Sequence, residues 1–243
     1  MGAKRGMTET ERLARQRGIT RLCHLTPFQN LIHIARGNGL RSTLELSADA
    51  RTAFTQQDLE RLDGYPDHIS CSIEYPNVWY LRQRRKRATP LQKLFPDWVC
   101  VLIEPHHLWR DDTLVCFRNA AASHGAYVDS GTAAFEAMFA DTVVGSGGRS
   151  YTRGAKPDSC PTDDQAEVLV AKQVPLADAN RVVVADKGGA SRVLVGLDLL
   201  DVPMETFEII IAPKLFQISL STALKAGRLP PEIPWTYGVD DAT

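Results

Sequence analysis

The run Trp98-Val99-Cys100-Val101-Leu102-Ile103-Glu104 constrains this chain more than any other stretch. It is short, carries no charge before its last residue and is rich in residues that suit a pleated, covered surface. It therefore reads as a buried strand. Such a strand needs neighbours, and the sequence supplies them. Residues 19–25, 68–73, 114–117, 165–170, 181–185 and 207–212 are further strand-like runs bounded by polar or turn-forming residues. Helical patterns are fewer. Residues 1–18 suit a short exposed helix rich in Arg and Glu. Thr26 is placed as an N-cap with Pro27 at the first helical position, before an apolar stripe of Phe28, Leu31, Ile32, Ile34 and Ala35 that Gly37 and Gly39 end. Further helical patches fall at residues 56–62 and 133–139. Strands outnumber helices, and the first helices precede much of the sheet. That order favours an α+β fold over a doubly wound one.

The length suits one domain with an extension, 243 residues in all. Residues 1–18 read as an N-terminal helical extension, and residues 19–243 as the main domain with a C-terminal extension from about 190. A net charge of −1 argues against uniform attraction to nucleic acid or membrane, so any basic surface must be local. One such patch exists, the stretch Arg82-Gln83-Arg84-Arg85-Lys86-Arg87. No apolar run is long enough to cross a bilayer, the N-terminus is polar throughout, and no secretory signal is expected. Cys23, Cys71, Cys100, Cys116 and Cys160 are scattered and form no C-x-x-C. They read as reduced, buried thiols of a cytosolic protein. There is no G-x-G-x-x-G and no P-loop. His106-His107 has no third ligand at suitable spacing, and no metal is expected.

The segment Gln165-Ala166-Glu167-Val168-Leu169-Val170 carries the candidate chemistry. Residues two apart on a strand share a face, which would set Gln165 beside Glu167. An amide there can orient a substrate, and a carboxylate can stabilise a developing cation or take a proton. A half-buried strand with a polar outer face accounts for the same alternation.

An ordered set of motifs resembles one family. It runs Cys23-His24-Leu25-Thr26 with Asn30-Leu31, residues 61–73, Tyr75-Pro76-Asn77, Cys116-Phe117-Arg118-Asn119-Ala120-Ala121, Phe135-Glu136-Ala137-Met138-Phe139 and residues 165–170. Over residues 19–185 the chain resembles the DarT family of DNA ADP-ribosyltransferase toxins. The resemblance implies an ADP-ribosyltransferase fold of two small packed β-sheets with flanking helices. It implies cleavage of NAD+ as co-substrate, transfer of ADP-ribose to a base of single-stranded DNA, and an antitoxin of macrodomain or NADAR type. The stretch His68 to Ile73 followed by Glu74-Tyr75-Pro76-Asn77 departs from the thymine-modifying branch. It is more similar to the guanine-modifying one, so guanine is favoured and thymine remains possible.

The same resemblance assigns roles. Glu167 would be catalytic, with Arg61 in catalysis and cofactor positioning, although Arg51 could fill that place. His24, Thr26, Asn30 and Ser72 would bind NAD+. Gln165 would touch the acceptor base. Apart from the resemblance, the charge of the basic stretch itself suits Arg84, Arg85 and Arg87 to hold the DNA, with Tyr75, Trp79 and Tyr80 available to stack. Thr26 as a cap alone, Ser70 as ordinary strand packing, Asn119 as a loop organiser and the arginine run as a solvated loop are the plainer readings. Two alternatives stay open: the same chemistry on RNA or protein, and a non-catalytic nucleic-acid-binding module.

Overall fold

Val99, Cys100, Val101, Leu102 and Ile103 are buried, and the strand they form lies inside a nine-stranded sheet. The computed structural model describes residues 6–46, 63–88, 97–122 and 124–236. The first half of the chain gives α1 (Glu9–Gln16), β1 (Leu22–Pro27), α2 (Phe28–Arg36), β2 (Gly39–Arg41), β3 (His68–Ile73), α3 (Val78–Arg87), β4 (Trp98–Ile103) and β5 (Leu114–Cys116). The second half gives β6 (Val128–Asp129), α4 (Gly131–Ala137), β7 (Thr142–Val144), β8 (Ser150–Thr152), β9 (Glu167–Ala171), β10 (Gln173–Pro175) and β11 (Arg181–Val184). It closes with α5 (Lys187–Asp198), β12 (Glu208–Ile211), α6 (Ser219–Lys225) and β13 (Ile233–Trp235).

The sheet runs β13-β12-β11-β4-β1-β3-β9-β5-β6, and two-stranded pairs β10-β2 and β7-β8 stand beside it. The α+β class holds, but the two small sheets expected from the sequence are one continuous mixed sheet. The reason lies in β1. It pairs with β4 along its whole length, from Leu22↔Ile103 to Pro27↔Trp98. On its other edge it pairs with β3 only at Leu22↔Ile73 and Cys23↔Ser72. The two halves are therefore joined at one end and part at the other.

A buried glutamate clamps the joined end. Glu74 follows β3 in a left-handed conformation (φ 62°), uncommon for a residue with a side chain. Its carboxylate accepts from the Thr20 amide, from Thr20 Oγ1 at 3.1 Å and from the Arg21 amide at 3.2 Å. The start of β1 is thus held to the end of β3, and the strands separate only beyond Cys23.

Several local readings change. Thr26 does not cap a helix: β1 runs through Pro27, which is itself the N-cap and offers no side-chain bond. The Phe28 amide is met by the Asp97 carbonyl at 3.0 Å instead. The basic stretch is the C-terminal part of helix α3 rather than a loop. Asn77 Oδ1 caps it by accepting from the Tyr80 amide at 2.9 Å, and cations in the last turn suit the negative end of the helix dipole. Gln165 lies in the turn before β9, because that strand begins at Glu167. α1 is not wholly exposed, since Ala14 is fully buried in the core and Thr10 Oγ1 meets Thr132 Oγ1 at 3.0 Å.

Helix α5 makes the crossover between the parallel strands β11 and β12. Asp186 caps it on the Gly189 amide at 2.7 Å. Gly196 lets it lie close against α2, because a Cβ there would sit 2.7 Å from Phe28 Cζ. Beyond it, β12 and β13 extend the sheet. The Arg21 guanidinium pairs with both carboxylate oxygens of Glu232, at 2.6 and 2.5 Å, which ties this last part of the chain to the head of β1.

Candidate active site

Where β1 and β3 part, a cleft opens. Its walls are Cys23 to Thr26 of β1 and Ile69 to Ser72 of β3, with Asn30 on α2, Arg41 on β2, Asn77 and Tyr80 at the start of α3, and Asn119 and Glu167 closing it. The gap is bridged by a side chain rather than by ladder bonds. His24 Nδ1 lies 3.0 Å from the Ser70 carbonyl. A carbonyl only accepts, so Nδ1 carries the proton, and in the neutral ring Nε2 is then an acceptor.

Glu167 is held in the cleft by two hydrogen bonds. Ser70 Oγ donates to its Oε2 at 2.5 Å. The Ala120 amide donates to its Oε1 at 3.0 Å. Two donors from different elements fix the plane of the carboxylate, which leaves it little rotational freedom. Register explains the meeting. β9 pairs with β3 through Ser70↔Leu169 and with β5 through Cys116↔Glu167. Ser70 and the chain just after β5 therefore flank the first residue of β9. Val168 and Val170 point into the main core, as alternation requires. Ser70, read from the sequence as ordinary packing, is thus a direct partner of the carboxylate, and the Ala120 amide was not legible at all.

Thr26 and Asn30 form a second polar pair, with Asn30 Nδ2 donating to Thr26 Oγ1 at 3.1 Å. Both are buried, and both line the cleft with Ser72 and His24. Four of the five residues expected to bind NAD+, all but Arg61, therefore share one wall system with Glu167. Arg61 and Arg51 lie outside the described residues. Gln165 does not line the cleft; its backbone N–H donates to Asp163 Oδ1 at 2.9 Å.

The arginines of α3 divide. The Arg84 guanidinium lies 5.1 Å from the ring centre of Tyr80, which lines the cleft, and Arg82 lies 5.7 Å from that of Trp79. Arg85 Nη1 donates to the Phe216 carbonyl at 3.1 Å, so part of its hydrogen-bonding capacity is used within the protein. Arg87 is exposed.

Residues 153–164, the approach to Glu167, are ordered by their own contacts. The Arg153 guanidinium donates to the Cys160 carbonyl at 2.7 Å and to the Pro157 carbonyl at 2.5 Å. Within the same segment Asp163 is buried and its Oδ2 has no hydrogen-bond partner, and neither has Nε of buried Arg118. Burial pushes the Asp163 carboxyl above its ordinary value.

His106 and His107 lie on a short 3-10 turn. Their rings are 4.2 Å apart. Asp178, not foreseen as a third group, lies near both, 3.4 Å from His106 Nε2 and 3.0 Å from His107 Nε2. Arg110 Nη1 stands 3.4 Å from His107 Nδ1, which places the His107 proton on Nε2, towards Asp178. The ligand atoms of His106, His107 and Asp178 all lie within 4.8 Å of one another, a grouping that could hold a metal ion. The cysteines are all buried and free, and no described helix is long and apolar enough to cross a membrane.

The family profile described as "DarT: ssDNA thymidine ADP-ribosyltransferase" matches residues 23–217. Among solved structures, the chain is similar to Thermus sp. 2.9 DarT in complex with ADP-ribosylated ssDNA, at 15% identity and TM-score 0.56, covering 82% of this chain and 97% of that one. It is also similar to Thermosipho africanus DarTG in complex with ADP-ribose, at 16% identity and TM-score 0.49, covering 81% and 51%. A third likeness is to Thermus sp. 2.9 DarT in complex with NAD+, at 15% identity and TM-score 0.48, covering 77% and 97%. Among curated proteins no match is found.

Proposed function

This chain belongs to the DarT family and is an NAD+-dependent ADP-ribosyltransferase of single-stranded DNA, and we propose that Glu167 is its catalytic carboxylate. The observation that carries this reading is the double anchoring of Glu167 by Ser70 Oγ and the Ala120 amide inside the cleft between β1 and β3.

The reaction breaks the bond between the nicotinamide ring and the ribose carbon that bears it. Nicotinamide leaves with the bonding pair, positive charge builds on the ribose, a nucleophilic atom of the base closes on that carbon, and the base gives up a proton. A carboxylate held below that sugar interacts more strongly with the charged transition state than with the ground state, which lowers the barrier. Fixing it beforehand avoids reorganisation during the step. His24, Thr26, Asn30 and Ser72 would hold the dinucleotide along the two diverging strands, with Nε2 of His24 as an acceptor for a ribose hydroxyl. Arg61, or Arg51 in its place, would clamp the pyrophosphate.

On the acceptor side, Gln165 would meet the base, and Arg84, Arg85 and Arg87 would attract the phosphates. The family description names thymidine. The strand sequence at residues 68–77 supports guanine, which we retain as the proposed acceptor with thymine as the second reading. An ADP-ribosyl hydrolase of macrodomain or NADAR type is the proposed antitoxin. Mass analysis of oligonucleotides of defined base content after reaction with NAD+ tests the acceptor base and the role of Glu167. Addition of one ADP-ribose to a guanine by the wild type and none by Glu167→Gln is expected. Full labelling by a folded Glu167→Gln protein would remove Glu167 from the mechanism, and labelling of RNA or protein alone would move the acceptor.

A further inference from the structure

Helix α6 begins at Ser219, beyond the residues the family profile matches. One face of it is committed to the segment that leads into Glu167. Ser221 Oγ donates to Asp164 Oδ2. The other oxygen of that carboxylate accepts from Lys156 Nζ at 2.5 Å. The Lys156 ammonium gives its two remaining bonds to the Pro161 and Thr162 carbonyls, both at 2.9 Å. The Lys156 side chain is 1% exposed and that of Asp164 13%. A buried ammonium with all three donors used holds its surroundings firmly, and loss of any one partner is felt by the rest.

The same helix reaches a second element. Leu220 and Leu224 pack in one apolar cluster with Cys160 of the loop and Val78 of α3, with Tyr75 and Trp79 against it. At its far end, Lys225 Nζ lies 5.6 Å from the Tyr151 ring centre. A Cβ at Gly227 would stand 3.1 Å from the Ala155 carbonyl. Helix α6 thus sits between the loop 153–164 and the root of the basic helix α3. A cavity of about 20 Å³, lined among others by Val78, Cys160, Asp164 and Ser221, lies at this junction. Ser72 borders both that cavity and the main cleft.

We propose that α6, acting through Asp164 and Lys156, is a positioning clamp that fixes the spacing between the loop 153–164 and helix α3, and so sets how the acceptor strand is held beside Glu167. The proposal rests on the reading of the cleft as the transferase site. It requires that α6 matter to DNA and not to NAD+, since none of its residues lines the cleft.

The test is two-substrate kinetics with NAD+ and a single-stranded oligonucleotide, together with oligonucleotide affinity by fluorescence anisotropy without NAD+. Ser221→Ala and Leu224→Ala are the variants, with Ser221→Thr as the conservative control. Ser221→Ala should raise the KM for the oligonucleotide about five- to tenfold and weaken its binding equally. The KM for NAD+ should stay within about twofold, and Ser221→Thr should restore the wild-type values. Wild-type oligonucleotide affinity in both alanine variants overturns the proposal. So does a rise of both KM values together, which marks general loosening. The affinity measurement needs no turnover, so a wild type that released no nicotinamide would count against the transferase site while leaving the clamp decided by binding.

Discussion

Removing the Ser70 hydroxyl should slow the reaction without unfolding the protein. Ser70 Oγ donates to Glu167 Oε2 at 2.5 Å, and Ser70→Ala deletes that bond alone. The main chain of the residue keeps its work: its carbonyl still receives His24 Nδ1–H, and its pairing opposite Leu169 is unaffected. A hydrogen bond to a charged group contributes about 1.5–3 kcal/mol. If that contribution is realised in the transition state, kcat falls about 10- to 150-fold, at a tenfold loss per 1.36 kcal/mol. The KM for NAD+ should change little, because the bond orients the carboxylate rather than the dinucleotide. At about 2–4 °C per kcal/mol for a chain of this size, the melting temperature should fall by about 3–12 °C, which leaves the protein folded at the assay temperature. The assay is the initial rate of nicotinamide release with saturating oligonucleotide. A folded Ser70→Ala protein with kcat within twofold of wild type would refute the reasoning. In a Glu167→Gln background the same substitution should have no further effect, since the two residues act as a unit.

Two further outcomes follow from the same geometry. Asp163 is buried with an unpartnered oxygen, and its carboxyl is raised above the ordinary value by burial. A raised folded-state value means the fold favours the protonated form, so this stability is present in acid and lost as pH rises through that value. Asp163→Asn should therefore stabilise the protein at pH 7 by about 1 kcal/mol, and the gain should vanish towards pH 4 in thermal melts. If α3 holds the DNA, Arg84→Gln with Arg87→Gln should reduce the slope of log affinity against log salt by about 1.4, some 0.7 for each phosphate contact on a single strand; an unchanged slope removes the helix from the DNA path.

How far the sequence carried the account depends on where each contact comes from. The strand His68–Ile73 and the apolar run from Trp98 are legible because local alternation and burial pattern fix them. Helix α5 is not, because Gly188, Gly189 and Gly196 weaken its local preference. Packing against α2 and the Asp186 cap supply what propensity lacks. Thr26 looks like a cap by its place before Pro27, but pairing with β4 extends the strand past it. Glu167 was visible as an acidic residue at a strand edge. Its partners were not, since Ser70 is 97 residues away in sequence and the Ala120 contact belongs to the backbone. Asp178 was missed beside His106 and His107 for the same reason of sequence distance. The single sheet was missed because two registered pairs between β1 and β3 leave no mark in composition or periodicity.

The most direct measurement is a crystal structure of this protein with a non-cleavable NAD+ analogue. With the analogue bound, the Glu167 carboxylate should lie about 3.5 Å from the sugar carbon that carries the nicotinamide, still bonded to Ser70 and the Ala120 amide, with the dinucleotide lying between β1 and β3. An analogue seated elsewhere, or a Glu167 turned away from that carbon, would contradict the account.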